Sequence, residues 1–402
     1  MIRKLISITL LLLTIIPCLR AQRKEISQAR SYIKSGKDLD KAEKLLRGVM
    51  EKDSASREDP RVHFYLLQSI EKQYAEGNEK LYLKQKYDTT ALFALTKKMF
   101  DVAETLDSID ALPDEKGRVR TKYRTKNAAL LSTCRPNLFF GGMYHIRKGN
   151  FENAFSLFDI YIRCAEFPMF ETYNYRKTDP KLPEAAYWAS FAGAKLDSVS
   201  MVLKYANLAE ADTSKLRFTL MYEAQAYDKM DDMEKYEATL KRGFEEYPLF
   251  SFFFPHLIDL YNESAEYDKV RQLCDDALAI AQDNMLFLYA KSNVLLTVGL
   301  YDDCISVTKR IIELNDSIAE PYYNIGMAYL NKVVDLEKTG RKQDKIQIKS
   351  LYKEAMPYLE KYRQLSPDEK KKWAPALYRI YLNLNMGKQF DEIDKILGSE
   401  KP

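Results

Sequence analysis

From Leu216 to Pro367 the alternation of apolar and polar positions repeats every 34 residues. Phe254, Leu288 and Tyr322 share one place in the repeat, and Leu220 holds it one period earlier. Seven residues on, Tyr227, Tyr261, Leu295 and Tyr329 share a second place, and just before it stand small or apolar residues, Ala224, Ile258, Ser292 and Gly326. Tyr267 and Tyr301 then open a second segment whose inner face carries Val270, Cys274 and Ala277, repeated as Cys304, Thr308 and Ile311. A fixed period between roughly 20 and 50 residues marks a solenoid, in which each unit buries its apolar face only against its neighbours. Such a chain grows by adding units and has no single core, so its length does not convert into a number of globular domains.

Ahead of this array the helical spacing continues less regularly. The segment after Gln22 reads as a degenerate repeat with Gly36 in its turn, and Asp59-Pro60 starts the next helix. Leu81, Leu92, Leu95, Met99, Val102 and Leu106 suit one or two longer helices. Between Phe167 and Pro183 the spacing breaks, with three prolines and clustered tyrosines, which predicts a long loop. A second break lies inside the array. Tyr261 and Val270 are nine residues apart, whereas their equivalents Tyr329 and Ala355 are 26 apart, so 17 residues are inserted. Helix-favouring residues on both sides of Thr339-Gly340 predict that both helices of that unit are lengthened by about eight residues, roughly 12 Å each. The resulting arm has a basic tip of Lys338, Arg341, Lys342 and Lys345, has no packing role within its unit, and is a candidate partner contact.

The stretches PYYNIGMAY with EAMPYLEKYRQLSP, and FPHLIDLYNESAEYDKVRQLCDDAL, resemble tetratricopeptide repeats of the exported bacterial type. Pro183 opens a further unit and Asn137 begins another match; Pro248 and Pro367 hold the closing place, from which Gln282 and Asp316 depart. The resemblance covers about two thirds of the chain. It implies an all-α, right-handed superhelical solenoid of antiparallel helix pairs carrying an extended helical hairpin insert. The expected organisation is a leader over 1–21, irregular helical repeats over 22–134, one repeat with its Pro/Tyr-rich loop over 135–182, the array over 183–369, and capping helices over 370–402 that include Trp373. Cys134 precedes the first helix of a repeat and Cys164 ends its second; those ends lie side by side in a helical hairpin, which predicts a Cys134–Cys164 disulfide.

Composition narrows the compartment and the partner. Arg3 and Lys4, an apolar run from Leu5 to Pro17, and Ala21 before Gln22 read as a cleaved secretory leader, its apolar core shorter than the ~20 residues of a spanning helix. The expected location is periplasmic or secreted. Cys18 is preceded by Ile15, Ile16 and Pro17, where a lipid anchor needs small residues, so no lipidation is expected. Removing Arg3, Lys4 and Arg20 with the leader brings 62 basic residues to 59 beside 58 acidic ones, which gives no general pull on nucleic acid. A basic run from Lys116 to Lys126 reads as a solvated helix face. Cys274 and Cys304 read as buried small residues.

In the resembled fold the first helix of each unit faces the concave side. That face carries Phe139 and Met143, then Tyr187 and Phe191, then Met221 and Gln225. It continues with Phe252, His256, Asp259 and Asn262, then Tyr289 and Asn293, and ends with Tyr323, Asn324 and Met327. Aromatic rings supply contact area, and asparagine amides pair with both the N–H and the C=O of an extended peptide. Catalysis has little support. His63, His145 and His256 form no zinc pair, no cysteine pair has metal spacing, and no glycine-rich phosphate loop or nucleophile elbow occurs. No cofactor is expected. The expectation is a non-enzymatic scaffold that binds a protein or peptide of the cell envelope in its groove; the alternative is a glycan-binding module of an envelope polysaccharide-uptake system.

Overall fold

The computed structural model describes residues 22–341 and 344–398; the leader, Cys18 and Lys342 lie outside them. Every regular element among the described residues is helical, and the chain divides into two compact units, Met1–Tyr236 and Glu237–Pro402.

The first unit begins with α1 over 22–35, α2 (Leu39–Lys52), a single turn α3 (Ser54–Arg57), α4 (Pro60–Tyr82) and α5 (Thr89–Asp110). Asp59 accepts from the Arg61 backbone N–H ahead of Pro60, and Asp88 accepts from Thr90, so both long helices start on a side-chain cap. The basic run from Lys116 begins in an exposed loop, not on a helix face: the Asp114 carboxylate accepts from the Lys116 and Arg118 backbone N–H groups and ties off the turn. Then follow α6 (Arg124–Cys134), α7 (Pro136–Arg147), α8 (Phe151–Arg163), the turn α9 (Tyr175–Thr178), α10 (Leu182–Lys195), two short helices α11 (Val199–Leu203) and α12 (Ala206–Ala209), and α13 (Leu216–Lys229). The break between α11 and α12 falls at Tyr205, whose hydroxyl donates to Asp159 on α8 at 2.6 Å. Phe100, Leu131, Phe158 and Phe170 are among the fully buried side chains of this unit.

The Pro/Tyr-rich segment folds over a buried arginine. Arg135 lies between α6 and α7 with its guanidinium 3.8 Å from the centre of the Tyr161 ring and 4.0 Å from that of Tyr175. It pairs with Asp179 and donates to the Tyr161 carbonyl at 3.0 Å and to the Cys164 sulfur at 3.1 Å. Tyr161 closes the ring by donating to Asp179 at 2.7 Å. This arrangement corrects the expected disulfide. All four described cysteines are free thiols; Cys164 faces Arg135, whereas Cys134 is the last residue of α6 and lies near the Tyr74 hydroxyl of α4.

The second unit contains the rest of α14 (Met233–Glu246), then α15 (Phe253–Glu263), α16 (Tyr267–Ile280), α17 (Met285–Thr297), α18 (Tyr301–Leu314), α19 (Glu320–Thr339), α20 (Asp344–Leu365), α21 (Lys370–Asn383) and α22 (Gly387–Gly398). Residues at the repeated places do the packing between successive helices. Phe254 packs at a tilt against Phe287 with ring centres 4.5 Å apart, and Ser292 meets Thr308 at 2.6 Å. The insert lengthens both helices as the spacing predicts: α19 and α20 have 20 and 22 residues where α17 and α18 have 13 and 14. Its base is not free of packing. Val333, Leu351 and Tyr352 are buried together with Leu377 and Ile380 of α21, and Arg379 donates to the Tyr352 hydroxyl at 3.0 Å and pairs with Glu337. The physical reason is that the base of the insert lies against α21, whose apolar face needs cover.

Candidate functional site

In the second unit, α15, α16 and α17 enclose an open cavity of about 460 Å³. Asp259 and Asn262 stand three residues apart on α15, and Tyr289 and Asn293 four apart on α17, so each pair shares one helix face. All four line this cavity, with Tyr267 at the start of α16 and Ile258, Val270 and Val294 as its apolar floor. Among the described residues the side chains of Asp259, Asn262, Tyr289 and Tyr267 have no hydrogen-bond partner, which leaves their hydrogen-bonding capacity available at the cavity. Asn293 is the exception. Its side-chain oxygen accepts from the Asn324 amide at 2.7 Å, and Asn324 also donates to Ser292 at 3.0 Å, which in turn meets Thr308. Asn324 is buried, so this network holds Asn293 in one orientation with its NH₂ group left to donate.

The other residues of the expected face are placed differently. Phe139 and Tyr187, in the first unit, are 5% and 6% exposed and belong to its core; in α7 it is the neighbouring Phe140, 54% exposed, that reaches the surface. The expected register is therefore one residue off there, because the aromatic places of α7 and α10 pack against α8 and α13. Tyr187 and Tyr222 lie with ring centres 6.4 Å apart. Met143, Phe191 and Met221 are half-buried and Gln225 is exposed. In the second unit His256 stacks on Phe252 at 4.0 Å, with Nδ1 2.7 Å from the Phe252 carbonyl oxygen, so both are engaged locally. Tyr323 packs on Tyr362 with ring centres 5.1 Å apart beside half-buried Met327, and Asn324 is a positioning residue, not a surface one. On the arm, Lys338 pairs with Asp335 at 3.0 Å, and Arg341 and Lys345 are exposed. Tyr267 was absent from the expected face because its place in the repeat marks the start of a second helix.

The reactive side chains are engaged structurally. His63 Nε2 lies 2.8 Å from the Arg57 carbonyl oxygen, and burial lowers the pKa of His145. Burial pushes the thiols of Cys164 and Cys274 up to about 11 and about 12, and raises those of Cys134 and Cys304 as well, so none of the four is a nucleophile near neutral pH. Among the described residues no group of His, Cys, Asp and Glu could hold a metal ion, and no helix is long and apolar enough to cross a membrane.

No family model and no curated protein matches the chain. The solved structures it is similar to include tetratricopeptide repeat proteins. The C-terminal part of one from Cytophaga hutchinsonii is 14% identical, covers 64% of this chain and 93% of its own, and has a TM-score of 0.45. A repeat protein from Bacteroides fragilis is 14% identical over 65% of this chain and 98% of its own, with a TM-score of 0.30. YrrB, described as having an unusual peptide-binding site, is 13% identical over 49% of this chain and 92% of its own, with a TM-score of 0.35.

Proposed function

We propose that the protein is a non-enzymatic interaction module of the cell envelope that holds an extended segment of another protein in the groove of α15, α16 and α17. The observation that carries this reading is the convergence of Asn262 and a pre-oriented Asn293 on one cavity floored by apolar side chains. An extended backbone offers alternating N–H and C=O groups, which two asparagine amides can satisfy while side chains enter the floor between them. Because Asn324 holds Asn293 in advance, little is lost in ordering it when a segment binds. The envelope part of the proposal rests on the leader-like first 21 residues.

A library of random linear peptides panned on the immobilised protein tests the reading. Peptides are expected to be enriched on the parent, and to bind Tyr289→Ser or Asn293→Ala at least about tenfold more weakly, the loss of one well-placed contact. Asn324→Ala, which never meets the peptide, should give a smaller loss through Asn293. Circular dichroism checks that each variant keeps its helix. Enrichment that is the same on parent and variants, or absent on both, sinks the groove; binding of a glycan array that these substitutions abolish would put a sugar ligand in its place.

A further inference from the structure

We infer that the segment bound in this groove presents a cation, a lysine or arginine side chain, to Asp259. This rests on the groove reading above and adds the chemistry of the partner. Several carboxylates near the groove are satisfied within the protein, Asp275 by Lys291, Asp268 by Arg271 and Glu266 by Lys269, and the exposed Glu263, one turn beyond Asp259, does not line the cavity. Asp259 is the carboxylate of the cavity wall, is exposed, and has no such partner among the described residues. The cavity wall contains no Lys or Arg at all. Nearby cations are already committed: the Lys291 side chain is only 12% exposed against Asp275, and Lys269 reaches both Glu266 and Glu237. One negative charge is therefore left uncompensated in a concave site.

The walls beside it suit a cation in a second way. Tyr267 and Tyr289 line the same cavity, and among the described residues neither is engaged with another ring or a hydrogen-bond partner. A tyrosine face attracts a guanidinium or ammonium group, and the attraction strengthens where water is partly excluded. Asp259 then provides a charge-assisted hydrogen bond to the same group, and the Asn262 amide oxygen, three residues along α15, accepts a further N–H. A segment with an acidic residue at this place would meet the carboxylate head-on and be rejected.

The test is the same peptide library panned in parallel on the parent, Asp259→Asn and Tyr289→Ser, followed by fluorescence anisotropy with the most enriched peptide and its Lys→Met or Arg→Met analogue. On the parent, enriched peptides should share a basic residue at one fixed position, and its replacement by Met should weaken binding about tenfold. On Asp259→Asn the basic preference should disappear, and parent and analogue peptides should bind alike. If peptides are enriched and lost on Tyr289→Ser but show no basic position, or keep it on Asp259→Asn, the cation inference is overturned and the groove reading stands. If no peptide is enriched, or enrichment ignores Tyr289, both fall together.

Discussion

Asp179→Ala is expected to destabilise the first unit by about 3 to 5 kcal/mol, because it leaves Arg135 charged, buried and unpaired. The side chains of Arg135 and Asp179 are 6% and 9% exposed, so solvent screens little of the loss. Tyr161 loses its acceptor at the same time, and the Lys181 backbone N–H loses the Asp179 oxygen to which it donates at 2.9 Å. Trp188 lies in the same unit, so denaturation can be followed by its fluorescence in a Trp373→Phe background. Arg135→Met should cost less, since the thioether chain keeps contact with the Tyr161 and Tyr175 rings and the carboxylate retains two donors. Equal losses for the two variants would show that packing, not the buried charge, holds the segment. The pair also makes the unit acid-sensitive. Burial by itself would raise the Asp179 pKa, but hydrogen bonds from Tyr161, from the Lys181 backbone and from Arg135 outweigh it and hold the carboxyl below its usual value. A depressed carboxylate contributes stability that is complete above the unfolded value of about 4 and is lost as pH falls through the folded one. The parent should therefore lose stability below about pH 4 more steeply than Asp179→Ala does.

Gly326→Val should cost the second unit about 2 to 3 kcal/mol through overpacking. A Cβ at Gly326 would lie 2.5 Å from Cγ of Leu359 and 2.9 Å from its Cδ2, and Leu359 is fully buried with no room to retreat. Shortening that partner tests the cause. Leu359→Ala alone should cost about 2 to 5 kcal/mol, yet the double variant should fall short of the sum by about 1 kcal/mol or more, because the valine occupies the space released. Trp373 packs in the cluster that contains Leu359 and reports the transition in a Trp188→Phe background. Strict additivity would mean that the valine does not enter the space that Leu359 leaves, and that the close approach of α19 and α20 at Gly326 is not what the substitution disturbs.

Much of the fold was legible because a repeat writes the same local demand many times. The small place before the second aromatic position shows this: Ala224 and Ser292 are fully buried, and Gly326 fits against Leu359. The lengthened hairpin could be counted from Tyr329 to Ala355, since helical residues advance along the axis at a constant rate. Of the expected concave face, Asp259, Asn262, Tyr289 and Asn293 line one cavity, Phe252 and His256 are engaged with each other, and Phe139 and Tyr187 are core. An aromatic residue at helical spacing reads alike whether it faces a neighbouring helix or solvent, and only the packing of that neighbour separates the two.

By itself the sequence determined the helical repeat and the place and size of its insert, both of which follow from spacing along one helix pair. The tertiary structure alone decided which groups meet. Arg135 finds Tyr161 and Asp179 at separations of 26 and 44 residues, and it turns a predicted disulfide into two separate thiols. Asn293 is set by Asn324 from the following repeat, and Asp259 is distinguished as the carboxylate of the cavity wall, with no counter-ion among the described residues. Pairings of this kind depend on how helices from different repeats are brought side by side, and residue spacing within a single repeat carries no record of it.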